Sequence, residues 1–454
     1  MRLPKRLSLA LATSAVAMLS LSACSGTGSA SAGTVKPLPE LSPNDEVTIT
    51  WDTYNYMPNQ FPEFIDSLVA QFETEHPNID VVPQAPTNIT TNTSYAAALQ
   101  QAILAGNTPD VAQQTFDALH WLATQGVIDP LVDLVGQDAL DESFGGEYPY
   151  NENAQVLSDL DGKTWGMPYV FSTPILWYNQ SAFDELGITM PEAPTWDEIA
   201  QIGTKFLEAG YSAPLVNGAV QSGGDWSMQG VIKSNGGSIV SADKKTIEFG
   251  GDEAVGAVET MRELYDDGVL SNVDLNNGQL AMSTGAAVMY LQTANVSTTL
   301  QKGATANNWT LAATRMPSFG DKAPAPTNSG SMLVIPHQEN ADPKKQAAAW
   351  EFIKFLTSPA AVEAIAENIG YVPLRDTLAS TAGAPLNEWY NTTPGAKVNV
   401  EQLHDLKPWD SYPGNNYAQI SKIFMDAVQN SVFQGQDPKQ TMQLAQEDAQ
   451  ALVK

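Results

Sequence analysis

The sequence predicts an α/β protein of two lobes, each built from discontinuous segments and joined by several crossings of the chain. From Val47 onward, short β-rich runs alternate with amphipathic stretches, which is typical of an α/β lobe with a mostly parallel sheet. A second α/β region follows at about residues 174 to 328. Of the 454 residues, 43% are hydrophobic, which is enough to build two cores.

In the first region, residues 47 to 52 predict a strand and residues 61 to 76 a helix. Phe64, Leu68 and Phe72 share one face of that helix, and Pro77-Asn78 ends it. The next elements are a strand at 79 to 82, a helix at 95 to 105 and a strand at 110 to 113. Ligands collect outside the carboxyl ends of strands in such sheets, so the loops after these three strands are candidate ligand walls.

The rest of the chain predicts mainly helices. In the second region they cover residues 196 to 209, 252 to 267 and 292 to 302. A strand at 331 to 335, a helix at 343 to 356 and a helical region at 417 to 434 follow. These late elements must pack on lobes that are already formed.

The amino-terminal segment predicts a lipoprotein signal peptide over residues 1 to 23. A basic start and an apolar run precede the quartet Leu21-Ser22-Ala23-Cys24, which resembles a lipobox and contains the only cysteine. We therefore expect Cys24 to carry the lipid that anchors the protein to the outer face of the cytoplasmic membrane. Residues 24 to 43, rich in Ser, Gly, Thr, Ala and Pro, predict a flexible tether.

The charge balance narrows the class of partner. The chain has 22 Lys and Arg against 51 Asp and Glu, for a net charge of −29. Nucleic acids and anionic membrane surfaces both require a basic footprint, so neither is expected as a partner. With one cysteine, assigned to the lipid, we expect no disulfide within the chain. The four histidines are scattered without metal-ligand spacing, and we expect neither a metal nor a cofactor.

Six sequence blocks are informative together through their order and spacing. They are DGKTWGMPY at 161 to 169, STPILWYN at 172 to 179, APTWDE at 193 to 198, AMSTGAAVM at 281 to 289, AAAWEFIKFL at 347 to 356 and GYVPLR at 370 to 375. In these blocks the chain resembles the extracellular solute-binding proteins of family 1, the maltose-binding-protein relatives of ABC importers. The segments 391 to 396, 413 to 416 and 437 to 440 resemble the glycerol-3-phosphate-binding branch of that family.

That resemblance implies a periplasmic-binding-protein-like fold whose two lobes close by a hinge on a ligand held between them. Lobe I is expected at 44 to 171 plus 330 to 370, and lobe II at 172 to 329 plus 371 to 454. The crossings are expected near residues 171 to 174, 328 to 330 and 371 to 374. The implied partners are a small carbohydrate and the transmembrane subunits of an ABC permease, with the binding protein itself a monomer.

The resemblance weakens at one informative position. The glycerol-3-phosphate branch has an arginine close before a Gly-Asn pair, where this chain has Ser411-Tyr412-Pro413 before Gly414-Asn415. Beyond the leader the sequence contains only three arginines, Arg262, Arg315 and Arg375. Since bidentate phosphate recognition favours arginine, a neutral ligand rich in hydroxyl groups fits better.

A sugar needs flat aromatic platforms for its C–H faces and amide or carboxylate groups for its hydroxyls. Candidate residues of both types lie at strand ends, crossings and glycine-flanked loops. They are Trp51, Asp52, Tyr54, Tyr56, Gln114, Thr115, Phe171, Ser172, Trp226, Gln292, Thr293, Ser329, Gly330, Ser331, Trp409, Tyr412, Asn415 and Tyr417. Each also has an ordinary structural explanation as a core, turn or surface residue.

The predicted function is therefore capture of a neutral di- or oligosaccharide for an ABC importer, without covalent chemistry. A binding protein for glycerol 3-phosphate or a glycerophosphodiester is the first alternative. A secreted glycoside-active enzyme gains little from the sequence, because metalloprotease and serine-hydrolase motifs are missing and 51 acids make some close pair inevitable. A purely adhesive surface lipoprotein would have no use for a two-lobed hinge.

Overall fold

The computed structural model describes residues 37 to 87, 89 and 94 to 453. The predicted leader, Cys24 and most of the predicted tether lie outside the described residues. Within the described residues, no helix is long and apolar enough to cross a membrane.

The described strands form two main sheets and one small hairpin. They are β1 Val47–Asp52, β2 Ile79–Gln84, β3 Val111–Thr115, β4 Asp159–Leu160, β5 Lys163–Thr164, β6 Met167–Ser172, β7 Pro174–Asn179, β8 Leu215–Asn217, β9 Met289–Thr293, β10 Leu311–Thr314 and β11 Ser329–Val334.

The α-helices cover both sheets and build most of the carboxyl-terminal third. They are α1 Pro62–Glu75, α2 Tyr95–Leu104, α3 Leu119–Thr124, α4 Leu131–Val135, α5 Gln137–Phe144, α6 Glu152–Gln155, α7 Gln180–Glu185, α8 Trp196–Glu208, α9 Asp225–Ser234, α10 Asp252–Asp266, α11 Leu275–Thr284, α12 Ser297–Ala306, α13 Pro343–Leu356, α14 Pro359–Ile369, α15 Thr377–Ser380, α16 Asn387–Thr392, α17 Ala396–Gln402, α18 Tyr417–Phe433 and α19 Pro438–Leu452.

The first sheet has the order β2-β1-β3-β11-β6 and is mixed. Strand β1 pairs in parallel with β2 and β3, whereas β11 runs antiparallel to β3 and to β6. The prediction of a mostly parallel sheet is therefore wrong. After β6 the chain passes directly into the second sheet, and it re-enters the first sheet at β11. Neither β6 nor β11 is therefore connected to its neighbours in the sheet through a βαβ unit.

The second sheet has the order β10-β7-β9-β8 and is antiparallel except between β8 and β9. The predicted helix at 292 to 302 is wrong at its start, because Gln292 and Thr293 end strand β9 and helix α12 begins at Ser297. Pairing with β7 and β8 on both sides fixes β9 as a strand, and the Thr293 hydroxyl caps the turn that follows it.

We call the elements around the first sheet lobe I and those around the second sheet lobe II. In lobe I the buried Trp51 packs edge-on against Phe352 of α13, with ring centroids 5.1 Å apart. In lobe II, helix α18 packs through Phe424 on Phe249, at 5.0 Å. Each lobe therefore has an apolar core to which the carboxyl-terminal helices contribute.

The chain passes from the first sheet to the second at Thr173, between β6 and β7. The Ser172 hydroxyl there accepts hydrogen bonds from the Thr293 hydroxyl at 2.6 Å and the Ala294 backbone N–H at 2.8 Å. At the return into β11, Gly330 has φ of +109°, and a Cβ on it would lie 2.1 Å from the Val170 carbonyl oxygen. Only glycine fits at this close approach.

Candidate interlobe binding site

The edge of lobe I that faces lobe II is formed by the carboxyl ends of β1 and β3. Each strand is followed by a 3-10 turn, Tyr54–Tyr56 after β1 and Phe116–Ala118 after β3. The Ser411 hydroxyl of lobe II lies 3.4 Å from the Phe116 carbonyl oxygen, so the second turn contacts lobe II directly. The candidate site is the cleft between these surfaces, where strand ends of this architecture place ligands.

The two lobes touch along one side of the cleft. The Tyr417 hydroxyl of α18 donates to the Ser94 hydroxyl of lobe I at 2.8 Å, and its ring lies 6.1 Å from that of Trp121. At the surface, Gln125 donates to the Asn415 side chain at 2.7 Å. These contacts join the two lobes along this side of the cleft.

A buried carboxyl group organises the lobe II wall of the cleft. Asp225, at the start of α9, accepts hydrogen bonds from the Tyr412 hydroxyl at 2.9 Å, the Trp409 indole N–H at 3.1 Å and the Gln229 amide at 3.4 Å. Burial raises the pKa of Asp225 in spite of these donors. One carboxyl group thus fixes two aromatic side chains of the 408 to 417 segment.

A second carboxyl group comes from lobe I. Asp117 lies in the turn after β3, close to the Thr115 hydroxyl, which opposes the rise of its pKa. Burial, and then the negative charge of Asp225, raise the pKa of Asp117 to about 6. Its Oδ1 atom is buried and has no hydrogen-bond partner among the described residues. A ligand that donates hydrogen bonds would satisfy this oxygen.

The neighbouring part of the cleft is a tyrosine cluster. Tyr54 stacks on Tyr95 with ring centroids 4.8 Å apart, and its hydroxyl lies near Ser331 and Tyr371. Tyr371 also lies near Asn295 of lobe II. Ser331 is paired with Thr115 across adjacent strands, so this cluster and Asp117 occupy the same edge of the sheet.

A cavity of about 240 Å³ opens between the lobes; Asp159 and Asp410 line it, whereas Asp117 and Asp225 do not. Phe116 and His120 of lobe I line it, together with Trp409, Ser411 and Lys244 of lobe II. Trp409 is only partly buried, so its indole is available to a ligand in this space. The cavity therefore combines aromatic and polar walls, as sugar sites require.

The two lysines near the cleft share one acid. Lys233 and Lys244 both pair with Asp410, the former at 2.7 Å. Although burial opposes it, these two charges hold the pKa of Asp410 below its usual range. One carboxylate offsets only one of the two lysines, so the group keeps a single net positive charge, held by ion pairs to Asp410.

The three arginines of the described chain are engaged outside the cleft. Arg262 pairs with Asp266 at 2.6 Å, and Arg315 pairs with Asp405 at 3.3 Å. Arg375 is buried over the Tyr150 ring at 4.5 Å. Its guanidinium donates to four backbone carbonyl oxygens, those of Ser143, Gly145, Tyr148 and Thr357. Within the described residues, no arginine faces the cleft.

Several predicted site residues lie in or beside the cleft. They are Tyr54, Thr115, Ser331, Trp409, Tyr412 and Tyr417, whose contacts are given above. Gln114 ends β3 with a buried, unpartnered Oε1 atom. Trp226 adjoins Asp225, and its carbonyl oxygen accepts from the Thr327 hydroxyl. Asn415 contributes to the surface contact between the lobes.

Other predicted site residues need correction. Trp51 and Phe171 are fully buried in the core, so neither offers a face to a ligand. The Tyr56 hydroxyl lies against Asp66 on α1 rather than in the cleft.

Ser172 and Thr293 bond to each other at the crossing. Gln292 accepts from the Thr293 N–H and donates to the Tyr290 hydroxyl. These residues hold the crossing together. Ser329 and Gly330 bring the chain back into the first sheet against β6.

Asp52 is a separate case. It is 6% exposed at the end of β1, and its Oδ1 atom has no hydrogen-bond partner among the described residues. Burial raises its pKa to about 6. No described contact joins Asp52 to the cavity.

Sequence reasoning missed Asp117, Asp225, Tyr371, Asn295 and Asn328. Asn328 accepts from the Trp409 N–H at 2.8 Å, and its buried Nδ2 atom has no partner among the described residues. The sequence did contain one usable signal. Asp117 lies in the loop after the predicted strand at 110 to 113, one of the loops expected to form the ligand walls.

The family model for bacterial extracellular solute-binding proteins matches residues 67 to 397. The chain therefore belongs to this family, and its two lobes with a cleft between them are the family's two-lobed binding fold.

Among characterised relatives, the chain is 24% identical to the sn-glycerol-3-phosphate-binding periplasmic protein UgpB of Escherichia coli O1:K1 / APEC. The match covers 91% of this chain and 94% of that protein. Two solved structures are similar in fold. The first is UgpB from Mycobacterium tuberculosis in complex with glycerophosphocholine, with a TM-score of 0.73, 20% identity, and coverage of 89% of this chain and 98% of the other.

The second is the GacH receptor of Streptomyces glaucescens GLA.O, solved unliganded and in complex with acarbose. Its TM-score is also 0.73, with 18% identity and coverage of 91% of this chain and 99% of the other. The same fold thus accompanies a phosphodiester ligand in one protein and a carbohydrate-like ligand in another. The ligand of this chain has to be argued from its own cleft.

Proposed function

We propose that this protein captures a neutral di- or oligosaccharide by hinge closure and delivers it to the permease of an ABC importer, without changing it covalently. The single observation that carries the proposal is the composition of the cleft. It combines aromatic side chains with buried carboxyl and amide groups, and no described arginine faces it.

The chemistry of a sugar matches these groups. Trp409 and Tyr54 are only partly buried and offer flat apolar faces for the C–H surfaces of sugar rings, while the buried Tyr412 holds Asp225 in place. The unpartnered Asp117 oxygen would accept a hydrogen bond from a sugar hydroxyl group. The unpartnered Asn328 amide would donate one to a sugar oxygen. A phosphate group would instead approach two carboxyl groups with no arginine to compensate.

A glycerophosphodiester or glycerol 3-phosphate ligand is the second candidate. The names of the Escherichia coli and Mycobacterium tuberculosis relatives favour it, since both are UgpB proteins. In this chain such a ligand would have to recruit Lys233 or Lys244 away from Asp410.

We also propose the cellular arrangement that the sequence indicates. The lipobox-like quartet ending at Cys24 supports a lipid anchor on the outer face of the cytoplasmic membrane. The anchored chain would act as a monomer and would present the closed form to separate permease subunits.

Thermal unfolding against a ligand panel tests the proposal. The protein used is residues 24 to 454 with Cys24→Ser, and the panel contains neutral di- and oligosaccharides, glycerol 3-phosphate and glycerophosphocholine. A ligand that binds only the folded protein raises the unfolding midpoint with its concentration. A rise with a sugar series and none with the phosphates supports the proposal. A rise with the phosphates alone overturns it in favour of the second candidate.

A further inference from the structure

We propose that Asp117 and Asp225 form an interlobe carboxyl pair whose combined negative charge opposes closing unless one group takes up a proton or a ligand donates hydrogen bonds to the pair. This inference rests on the hinge closure in the proposed function but not on the identity of the ligand. It makes the pair a determinant of which ligands permit closing.

The lobe II member of the pair is held rigidly. Asp225 is 5% exposed, and the side chains of Tyr412, Trp409 and Gln229 bind its two oxygens. The carboxyl group therefore cannot turn away when lobe I approaches. Turning would break three hydrogen bonds and leave the donors unsatisfied in a buried place.

The lobe I member lies next to the segment that binds Asp225. Asp117 adjoins Phe116, whose carbonyl oxygen contacts Ser411, and Ser411 stands between Trp409 and Tyr412, which both donate to Asp225. The negative charge of Asp225 accordingly helps to raise the pKa of Asp117. The two carboxyl groups belong to different lobes, so their approach depends on closing. Repulsion between like charges is much stronger in a buried cleft than in water.

The groups around the pair do not cancel its charge. The Tyr417 ring from α18 faces Asp117, and its hydroxyl is neutral near physiological pH because burial raises its pKa further. Lys233 of α9 is near Asp225, but it pairs with Asp410, which also binds Lys244.

His120, on the same side of lobe I, experiences the charges of Asp161 and Lys244, and burial lowers its pKa. Among the described residues, then, no cation is committed to Asp117. An unpaired buried carboxyl group is stabilised by protonation or by donated hydrogen bonds.

The consequence for selectivity follows directly. A neutral ligand with hydroxyl groups supplies the donors that Asp117 lacks, and it adds no charge. An anionic ligand adds a third negative charge at the same place and is therefore disfavoured. Closing of the lobes without a ligand is disfavoured as well. The transporter would therefore rarely meet a closed protein that carries no ligand.

Single-molecule energy transfer between two dyes measures closing without any ligand. The protein is residues 24 to 454 with Cys24→Ser, which removes its only cysteine. Leu104→Cys in lobe I and Leu280→Cys in lobe II provide labelling sites, because these side chains are 81% and 61% exposed. The closed-to-open ratio is recorded between pH 8 and pH 5.

In the unsubstituted pair we expect this ratio to rise about tenfold as the pH falls from 8 to 5, since a shift of one pKa unit corresponds to a factor of ten. Asp225→Asn and Asp117→Asn should each raise the ratio at pH 8 and flatten the pH dependence. We expect Asp117→Asn to disturb folding less than Asp225→Asn, because Asp225 accepts three side-chain hydrogen bonds. Asp426→Asn, which removes one charge from the exposed side of α18, should follow the parent curve.

A closed-to-open ratio that stays constant between pH 8 and pH 5 would overturn the inference. A pH dependence that persists unchanged in Asp117→Asn would also overturn it, because another group would then be responsible. No ligand is present in this experiment. Its failure therefore leaves the proposed sugar ligand untouched, and failure of the ligand panel leaves this result standing.

Discussion

Trp409 should carry a measurable share of the binding free energy. In the structure its indole N–H donates to Asp225 at 3.1 Å, its backbone N–H donates to Asn328 at 2.8 Å, and its ring lines the interlobe cavity. Trp409→Ala removes the ring and leaves the backbone contact. Losing an aromatic platform costs about 1 to 3 kcal/mol of binding free energy, which is about 5- to 150-fold in affinity.

The matched variant Trp409→Phe separates the ring from its N–H. It keeps an aromatic face and loses one hydrogen bond to Asp225, which still accepts from Tyr412 and Gln229. One such hydrogen bond contributes about 1 kcal/mol. We therefore expect Trp409→Phe to retain most of the affinity that Trp409→Ala loses.

Isothermal titration with the sugar that gives the largest thermal shift measures both variants. Trp389→Ala serves as the control, because Trp389 is also partly buried but packs on the small cluster around Leu378 and Leu386. The control should bind as the parent protein does. Parent-like affinity in Trp409→Ala would refute the assignment of this side chain as a platform.

Three further predictions concern stability. Arg375→Gln should lower the free energy of unfolding by about 3 kcal/mol or more in urea titrations, because it breaks buried hydrogen bonds to four carbonyl oxygens. The exposed-pair variant Lys422→Gln should cost about 1 kcal/mol or less, and equal effects would contradict this. Gly330→Ala should cost several kcal/mol or prevent folding, because its Cβ would meet the Val170 carbonyl at 2.1 Å, and a normal melting curve would exclude that geometry. Folding raises the pKa of Asp52 from 3.8 to about 6, so its share of stability is fully present below pH 4 and is lost as the pH rises to about 6. Asp52→Asn should therefore stabilise the protein by about 1 to 3 kcal/mol at pH 8 and much less at pH 4, and an equal effect at both pH values would show that Asp52 is not the titrating group.

Local patterns predicted helices well because the signals that define helices are themselves local. Helix α13 begins at Pro343 and has an apolar face including Phe352, as its periodicity indicates. Strand direction is not local in the same way. The antiparallel pairing of β11 with β3 depends on where the chain re-enters lobe I, which no short pattern records.

The alternation of β1 could have prevented one error in the predicted site. Trp51 is in phase with Val47 and Ile49, which fill the core, so a period of two assigns it to the core face. The period of two applies only within the strand. Residues beyond the end of the strand, such as Tyr54, can therefore face the cleft.

The carboxyl pair could not be found from local sequence. Asp117 and Asp225 belong to different lobes, and they are brought near each other only by the contact between the turn at Phe116 and the segment at Ser411. Asp225 directly precedes Trp226, which the sequence predicts as a ligand-binding residue of a glycine-flanked loop. Nothing nearby in the sequence shows that Trp409 and Tyr412 donate hydrogen bonds to Asp225.

The most direct test of the account is a comparison of two dissociation constants on one protein sample. Isothermal titration of residues 24 to 454 with Cys24→Ser would measure the best neutral oligosaccharide and glycerophosphocholine at the same pH. The account predicts that the oligosaccharide binds at least a hundredfold more tightly, on the order of 3 kcal/mol. Tighter binding of glycerophosphocholine would contradict the central claim that this cleft selects a neutral, hydroxyl-rich ligand.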